Sequence, residues 1–223
     1  MIEVEKNLRE VLATLPNNVN LVAVSKFHPA DVVRRLYDIG QRSFGESRVQ
    51  ELVAKRESLP ADIKWHFIGH LQQNKVKYIA PFVHSIDSVD TEKLLLEINR
   101  RAVAAGRRID CLIQLHVAQE DTKFGFTPDE ALRLLEEGTW RSLEGVRLRG
   151  IMCMASHTDD PARVESDFRT ALHCFETARS RFFADSPDFN VRSWGMSDDY
   201  PTAIRCGSNQ VRIGTHIFGE REY

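Results

Sequence analysis

The 223-residue chain carries 30 lysines and arginines against 32 aspartates and glutamates, so its formal net charge is −2. This balance lacks the broad basic field of nucleic-acid-binding proteins, and the 42% hydrophobic content excludes a disordered chain. No apolar run approaches the ~20 residues of a membrane span, and the first residues lack a signal-peptide pattern. We therefore expect a cytoplasmic chain without nucleic-acid or membrane partners.

Short apolar runs alternate with amphipathic stretches along the whole chain. The first amphipathic stretch predicts a helix with Leu8, Val11, Leu12 and Leu15 on one face. The first strand is predicted over residues 21–26, and the helix after it ends at Gly40. Further strands are predicted over residues 42–45, 64–68, 82–86, 111–117, 148–153, 191–194 and 210–213, and further helices over 91–105, 129–137 and 162–183.

Eight strands that alternate with helices predict a single (β/α)8 barrel over residues 1–223, preceded by the extra N-terminal helix. A doubly wound open sheet is the alternative. That fold has fewer strands and a glycine-rich turn after the first, whereas no G-x-G-x-x-G segment occurs in this sequence. The four cysteines (Cys111, Cys153, Cys174 and Cys206) form no C-x-x-C pair, which is typical of reduced, buried thiols.

Reactive groups of such a barrel cluster at the carboxyl ends of its strands, where the first predicted strand ends at Lys26. Partial burial there would lower the pKa of the amine and make it a nucleophile toward an aldehyde. A solvated lysine that merely ends a strand is the alternative interpretation.

Small and hydroxyl residues follow the last two predicted strands, namely Ser193 and Gly195 after the seventh and Gly214 and Thr215 after the eighth. They suit a phosphate site, which this fold often places there, although each stretch could equally be a plain turn. A lysine beside a phosphate site suits a phosphorylated aldehyde held as a Schiff base. Pyridoxal 5′-phosphate and the sugar-phosphate substrate of an aldolase both fit.

Eight segments in chain order resemble the YggS/PROSC-type pyridoxal phosphate homeostasis protein family, whose fold is like the barrel domain of alanine racemase. The segments are AVSK (23–26), FGESRVQE (44–51), WHFIGHLQQNK (65–75), HSIDS (84–88), TKFG (122–125), RGIM (149–152), GMSDDY (195–200) and VRIGTHIFG (211–219). The resemblance spans nearly the whole chain.

The resemblance implies a cofactor site for pyridoxal 5′-phosphate. In the family, the lysine that matches Lys26 carries the cofactor as an internal aldimine, and the arginine that matches Arg212 lies against the pyridine nitrogen. Because arginine keeps its protons at neutral pH, that nitrogen stays unprotonated and the cofactor is a weaker electron sink. The residues matching Ser193, Gly195, Gly214 and Thr215 hold the phosphate, and Ser47 and Met152 complete the predicted cofactor-binding set.

The resemblance implies cofactor carriage or homeostasis, with no catalytic residue assigned, a monomer, and apo-enzymes as possible recipients. An amino-acid racemase is the main competing function. Alanine racemase needs a second domain with a catalytic tyrosine, for which 223 residues leave no room beyond the eight units. A Schiff-base aldolase and a partner-binding barrel with an incidental cofactor also fit the pattern.

Three residues depart from the family pattern. Ser47 stands where an asparagine is usual, which puts a side-chain contact near the ring in doubt. Trp194 replaces a methionine and would change the packing over the cofactor, and Phe124 would narrow the mouth of the site.

Two residue pairs carry weaker signals. His66 and His70 are four residues apart but span a strand end, with no acidic residue at zinc-ligand spacing in the sequence, so we predict no metal site. Cys153 with His157 favours a buried thiol over a nucleophile and base.

Overall fold

The computed structural model describes residues 3–118 and 124–220, in which eight strands alternate with helices. Thr122 and Lys123 of the quoted motifs lie outside these residues. The strands are β1 (Asn20–Val24), β2 (Ser43–Glu46), β3 (Lys64–Phe67), β4 (Ser85–Val89), β5 (Ile109–His116), β6 (Val146–Met154), β7 (Val191–Ser193) and β8 (Gln210–Ile213). The α-helices are α1 (Glu3–Thr14), α2 (Ala30–Asp38), α3 (Val49–Ser58), α4 (Val76–Ile79), α5 (Glu92–Ala104), α6 (Pro128–Glu137), α7 (Pro161–Phe182), α8 (Tyr200–Arg205) and α9 (Thr215–Phe218).

The strands form a closed parallel barrel in chain order, which confirms the predicted fold class. β8 closes the barrel on β1, with Asn20 opposite Gln210 and Ala23 opposite Ile213. Parallel strands covered by helices on the outside bury both faces, which explains their apolar runs. Among the described residues, no helix is long and apolar enough to cross a membrane.

Two predicted strand boundaries are wrong in ways that affect the site. β1 ends at Val24, so Lys26 follows the strand by two residues instead of ending it. The fourth strand is Ser85–Val89 instead of 82–86. The backbone N–H groups of Phe82 and Val83 donate to the carbonyl of Ile79, so these residues belong to the turn after α4. Hydropathy missed the end of this strand, since it carries buried polar side chains.

The N-terminal helix is present, but its apolar face is narrower than predicted. Leu8 and Val11 are buried, whereas Leu12 is 44% exposed and Leu15 lies beyond the helix end at Thr14. The Asn7 side-chain amide donates to the carbonyl of Ile217 at 3.2 Å, so α1 packs against α9. The extra helix therefore supports the element that begins at Thr215, on the predicted cofactor side.

Candidate functional site

A cavity of about 470 Å³ opens at the carboxyl ends of the strands. This volume is in the range of small-molecule sites. Five predicted site residues line it, and they come from both ends of the sequence: Lys26, Ser47, Arg212, Gly214 and Thr215. The other lining residues are Val24, Ile68, Gly69, His70, Gln114, Phe124, Met154, Met196, Ser197 and Asp198. Barrel closure between β8 and β1 brings the lysine and the arginine to one cavity.

The remaining predicted residues, Met152, Ser193 and Gly195, are buried and are not among the cavity-lining residues. β6 continues to Met154, and this residue lines the cavity. Because side chains of a strand alternate, Met152 lies on the same side as Met154 but one layer deeper. Ser193 likewise lies behind the guanidinium of Arg212, which its side chain contacts.

Arg212 is 97% buried and is held by neutral partners. Its Nη1 donates to the carbonyl and hydroxyl oxygens of Ser193 at 2.7 and 2.8 Å, and its Nη2 donates to the carbonyl of Cys153 at 2.8 Å. Burial lowers the pKa of Arg212, although the nearby Cys153 and Asp87 oppose this effect. A guanidinium fixed in this way keeps its position while a ligand enters the cavity.

A column of polar side chains continues from Arg212 into the barrel interior. The Gln210 amide donates to Ser193 Oγ and to Asp87 Oδ2, both at 3.1 Å, and His66 Nδ1 lies 3.3 Å from the same carboxylate oxygen. Burial alone would raise the pKa of Asp87, but His66 and Ser85 outweigh this effect and lower it. The buried carboxylate therefore stays charged, across the barrel from β8.

The turns after β7 and β8 bring small residues to the cavity. Gly195 has a φ of +96°, and a Cβ there would lie 2.6 Å from the Cβ of Ala203, so only glycine fits. Its carbonyl accepts from the backbone N–H of Arg212 at 2.9 Å, which joins the two turns. Ser197 Oγ accepts from the N–H of Gly214 at 3.3 Å, and α9 begins at the next residue.

The rim of the cavity includes residues that the sequence analysis missed. The ring of His70 stacks on Phe124 with a centroid distance of 3.8 Å, and its Nδ1 lies 2.7 Å from Asp90 Oδ2. The Gln114 side chain donates to the carbonyl of Phe124 at 2.7 Å. The alternation of strand residues could have indicated Gln114 and His70, since both continue inward-facing rows toward the carboxyl end. As expected, Phe124 stands at the mouth.

Trp194 lies in the apolar core instead of over the cavity. It is fully buried, and its indole N–H donates to the carbonyl of Cys206 at 3.3 Å. The position of Trp194 therefore does not support the expectation that this residue alters the packing over a cofactor. Cys153 is also fully buried, and burial raises the pKa of its thiol, so this residue lacks the character of a nucleophile.

A second cavity of about 250 Å³ lies at the amino ends of the strands. His66 and His84 line it together with Lys64, Asp110 and Arg149. Burial, helped by the charge of neighbouring His66, lowers the pKa of His84 to about 4. This end therefore keeps His84 neutral at physiological pH.

Comparison with known proteins agrees with this architecture. Residues 2–222 match the family described as Alanine racemase, N-terminal domain. The chain is 36% identical over 207 residues to the pyridoxal phosphate homeostasis protein of Helicobacter pylori strain J99, covering 91% of this chain and 88% of that protein. It is 35% identical over 237 residues to the human protein of that name, covering 99% of this chain and 85% of the human protein.

Solved structures show the same barrel. PipY of Synechococcus elongatus, solved with pyridoxal 5′-phosphate bound, superposes with a TM-score of 0.87 at 32% identity, covering 97% of this chain and all of PipY. An alanine racemase of Clostridium difficile shares the fold at 15% identity with a TM-score of 0.77, and 99% of this chain covers 56% of that enzyme. The extent and identity of these matches show that the chain belongs to the pyridoxal phosphate homeostasis protein family.

Proposed function

We propose that this protein binds pyridoxal 5′-phosphate in the carboxyl-end cavity and serves in the homeostasis of this cofactor. The observation that carries the proposal is the convergence of Lys26, Arg212 and the Gly214–Thr215 turn on one cavity. An aldehyde, a pyridine nitrogen and a phosphate each have a matching group there. Family membership and the occupied structure of PipY support the same cofactor.

Lys26 is the proposed covalent attachment point. Its ε-amine would hold the cofactor through a C=N bond, formed with the aldehyde carbon by loss of water, so the cofactor would supply the aldehyde and Lys26 the nitrogen. Arg212 is proposed to face the pyridine nitrogen, and a residue that does not give up its proton keeps that nitrogen unprotonated. Such a site retains the cofactor without strongly promoting carbanion chemistry.

The phosphate is proposed to bind between the turns after β7 and β8. The backbone N–H groups of Thr215 and His216 are proposed to donate to phosphate oxygens, together with the hydroxyl of Thr215, whereas those of Ile217 and Phe218 already donate to the carbonyl of Gly214. A Cβ at Gly214 would lie 3.3 Å from the carbonyl of Val24, so this turn passes close to β1. Gly195 would contribute by shaping its turn, and Ser193 and Met152 would contribute from the layer behind Arg212. Ser47 would contribute from the end of β2.

Release to apo-enzymes that require the cofactor is the proposed cellular role, with the protein acting as a monomer in the cytoplasm. Four buried free cysteines (Cys111, Cys153, Cys174 and Cys206) support a reducing compartment. The test is transfer of bound pyridoxal 5′-phosphate to an apo-enzyme, measured by the activity that the recipient regains. Transfer no faster than from pyridoxal 5′-phosphate mixed with serum albumin would contradict this role.

The attachment point is tested by an absorbance spectrum before and after borohydride reduction, followed by peptide mapping. We expect a yellow protein whose reduced label maps to Lys26, and Lys26→Ala should lose the band. Lys93→Ala is the matched control, since Lys93 is an exposed lysine on α5. A label elsewhere, or a colourless protein, would overturn the assignment and favour an aldolase without cofactor.

Incubation with L-alanine and other L-amino acids separates homeostasis from racemisation. We expect no D-isomer above the level produced by free pyridoxal 5′-phosphate. Robust turnover that disappears in Lys26→Ala would instead establish a racemase-like enzyme.

A further inference from the structure

Lys55 is a lysine that the proposed function does not use, and it is 95% buried. Its Nζ donates to the carbonyl of Ser25 at 2.7 Å, to Glu46 Oε1 at 2.6 Å and to Glu51 Oε1 at 2.7 Å. An ammonium group has three N–H donors, so these three acceptors satisfy it completely. Ser25, Glu46, Glu51 and Lys55 therefore form one connected cluster around a satisfied ammonium, whereas the buried Glu46 Oε2 has no hydrogen-bond partner among the described residues.

The cluster holds the chain on both sides of Lys26. Ser25 precedes this lysine; its hydroxyl donates to Glu46 Oε1 at 2.6 Å, and its carbonyl accepts from Lys55. Phe27 follows the lysine, and its backbone N–H donates to Glu51 Oε1 at 2.6 Å. The backbone of Lys26 is thus fixed between two anchored neighbours.

The turn after Lys26 needs such an anchor because its conformation is unfavourable. Phe27 has a φ of +69° and is the one non-glycine residue with a positive φ among the described residues. Bulky side chains disfavour this region, which persists where surrounding contacts enforce it. Glu51 supplies one such contact, and the Arg48 guanidinium, 4.5 Å from the Phe27 ring centroid, supplies another.

We propose that Lys55 and Glu51 are positioning residues that hold the strained turn of Phe27 and so present the Lys26 amine to the cavity. The inference rests on the proposed function, since it concerns how this site binds pyridoxal 5′-phosphate. Neither residue lines the cavity, so each acts through the backbone beside Lys26. A network present only for stability would leave cofactor binding unchanged when the fold is retained.

Glu51 gives the sharper test because its side chain is 20% exposed and its replacement leaves the barrel wall intact. Glu51→Leu removes the acceptor, whereas Glu51→Gln keeps an oxygen for the Phe27 N–H. Glu57→Leu is the matched control, an exposed glutamate on the same helix α3. Each variant is compared with the wild type in the free protein and after addition of pyridoxal 5′-phosphate.

Two measurements decide the proposal. In the free protein, amide hydrogen exchange at Phe27 should accelerate about tenfold or more in Glu51→Leu, while core amides keep their protection. The dissociation constant for pyridoxal 5′-phosphate should rise about tenfold because the site loses preorganisation. Glu51→Gln should recover most of both effects, and Glu57→Leu should show neither.

The outcomes separate this inference from the proposed function. Unchanged affinity in Glu51→Leu, while Lys26→Ala abolishes binding, would overturn the positioning role and leave the function intact. Failure of the wild type to bind the cofactor would overturn the function, whatever happens to exchange at Phe27. Lys55→Met provides a second variant, and a folded Lys55→Met protein with wild-type affinity would also contradict the proposal.

Discussion

Arginine side chains at the two ends of the barrel have partners of opposite kinds. At the amino end, cations are paired with anions of the protein: Arg147 Nε lies 2.7 Å from Asp110 Oδ1, and Arg149 Nη1 lies 3.0 Å from Asp188 Oδ1. At the carboxyl end, the two Nη atoms of Arg212 donate to carbonyl and hydroxyl oxygens. The carboxyl end thus fixes a cation without neutralising it.

This difference distinguishes charges that are neutralised within the protein from a charge that remains available to a ligand. Surface ion pairs contribute little to stability, and they leave no charge for a ligand. A buried guanidinium with neutral partners keeps its field for whatever enters the cavity. The fully buried carboxylate of Asp87 is linked to Arg212 through the side chains of Gln210 and Ser193. The carboxyl end is therefore the end that we propose for the anionic cofactor, in agreement with the general location of barrel active sites.

Replacing Arg212 should give the largest effect. Arg212→Met removes the cation near Asp87 and leaves the carbonyls of Ser193 and Cys153 without their donors. We expect a loss of about 3 kcal/mol in the free energy of unfolding, measured by urea unfolding of the free protein. The affinity for pyridoxal 5′-phosphate should fall at least about tenfold. Retention of wild-type affinity would remove Arg212 from the proposed site.

At the amino end, we expect the free energy of unfolding to depend on pH through His84. The pKa of His84 lies at about 4 in the folded protein against 6.5 for the ordinary side chain, because of burial and neighbouring His66. Lys64 adds to this effect, whereas Asp110 and Asp87 oppose it. As the pH falls from 6.5 toward 4, His84 binds a proton in the unfolded chain but stays neutral in the folded protein. Stability present above pH 6.5 is therefore lost across this window.

Comparison of wild type with His84→Gln isolates this contribution. Between pH 7 and pH 4 the wild type should lose about 1–3 kcal/mol more unfolding free energy than the variant, with allowance for partial solvation of the ring. Urea unfolding at several pH values measures the difference. Parallel pH profiles for the two proteins would show that the amino-end cavity does not exclude the proton.

The sequence predicted the eight-stranded barrel well, because a parallel sheet covered by helices requires apolar runs that alternate with amphipathic helices. The site was only partly predictable. Lys26 and Gly214 follow strand ends, so the pattern points to them, whereas Arg212 lies within β8 and its role was implied only by the family resemblance. Asp87 and Lys55 are buried charges that apolar patterning does not mark, and the partners that make their burial tolerable include residues of other strands.

The ion pair of the partly buried Arg149 with the half-exposed Asp188 is the counterpart of Arg212. Arg149→Met should change the unfolding free energy by no more than about 1 kcal/mol, since Asp188 is 53% exposed and Asp110 keeps Arg147 as a partner. Cofactor affinity should equal that of the wild type. A loss as large as that of Arg212→Met would erase the distinction between the two ends.

Phe124 tests the carboxyl end at its rim, where the smallest effect on stability is expected. Its ring is 52% exposed and stacks on His70, so Phe124→Ala should change the unfolding free energy by less than about 1 kcal/mol. The same change widens the mouth of the cavity, and exchange of bound pyridoxal 5′-phosphate should accelerate about threefold to tenfold. Release into an excess of apo-enzyme measures this rate, with Tyr78→Ala as the control, since Tyr78 is an aromatic residue of similar exposure outside both cavities. An unchanged release rate would mean that covalent attachment, and not the mouth, limits how the carboxyl end gives up its ligand.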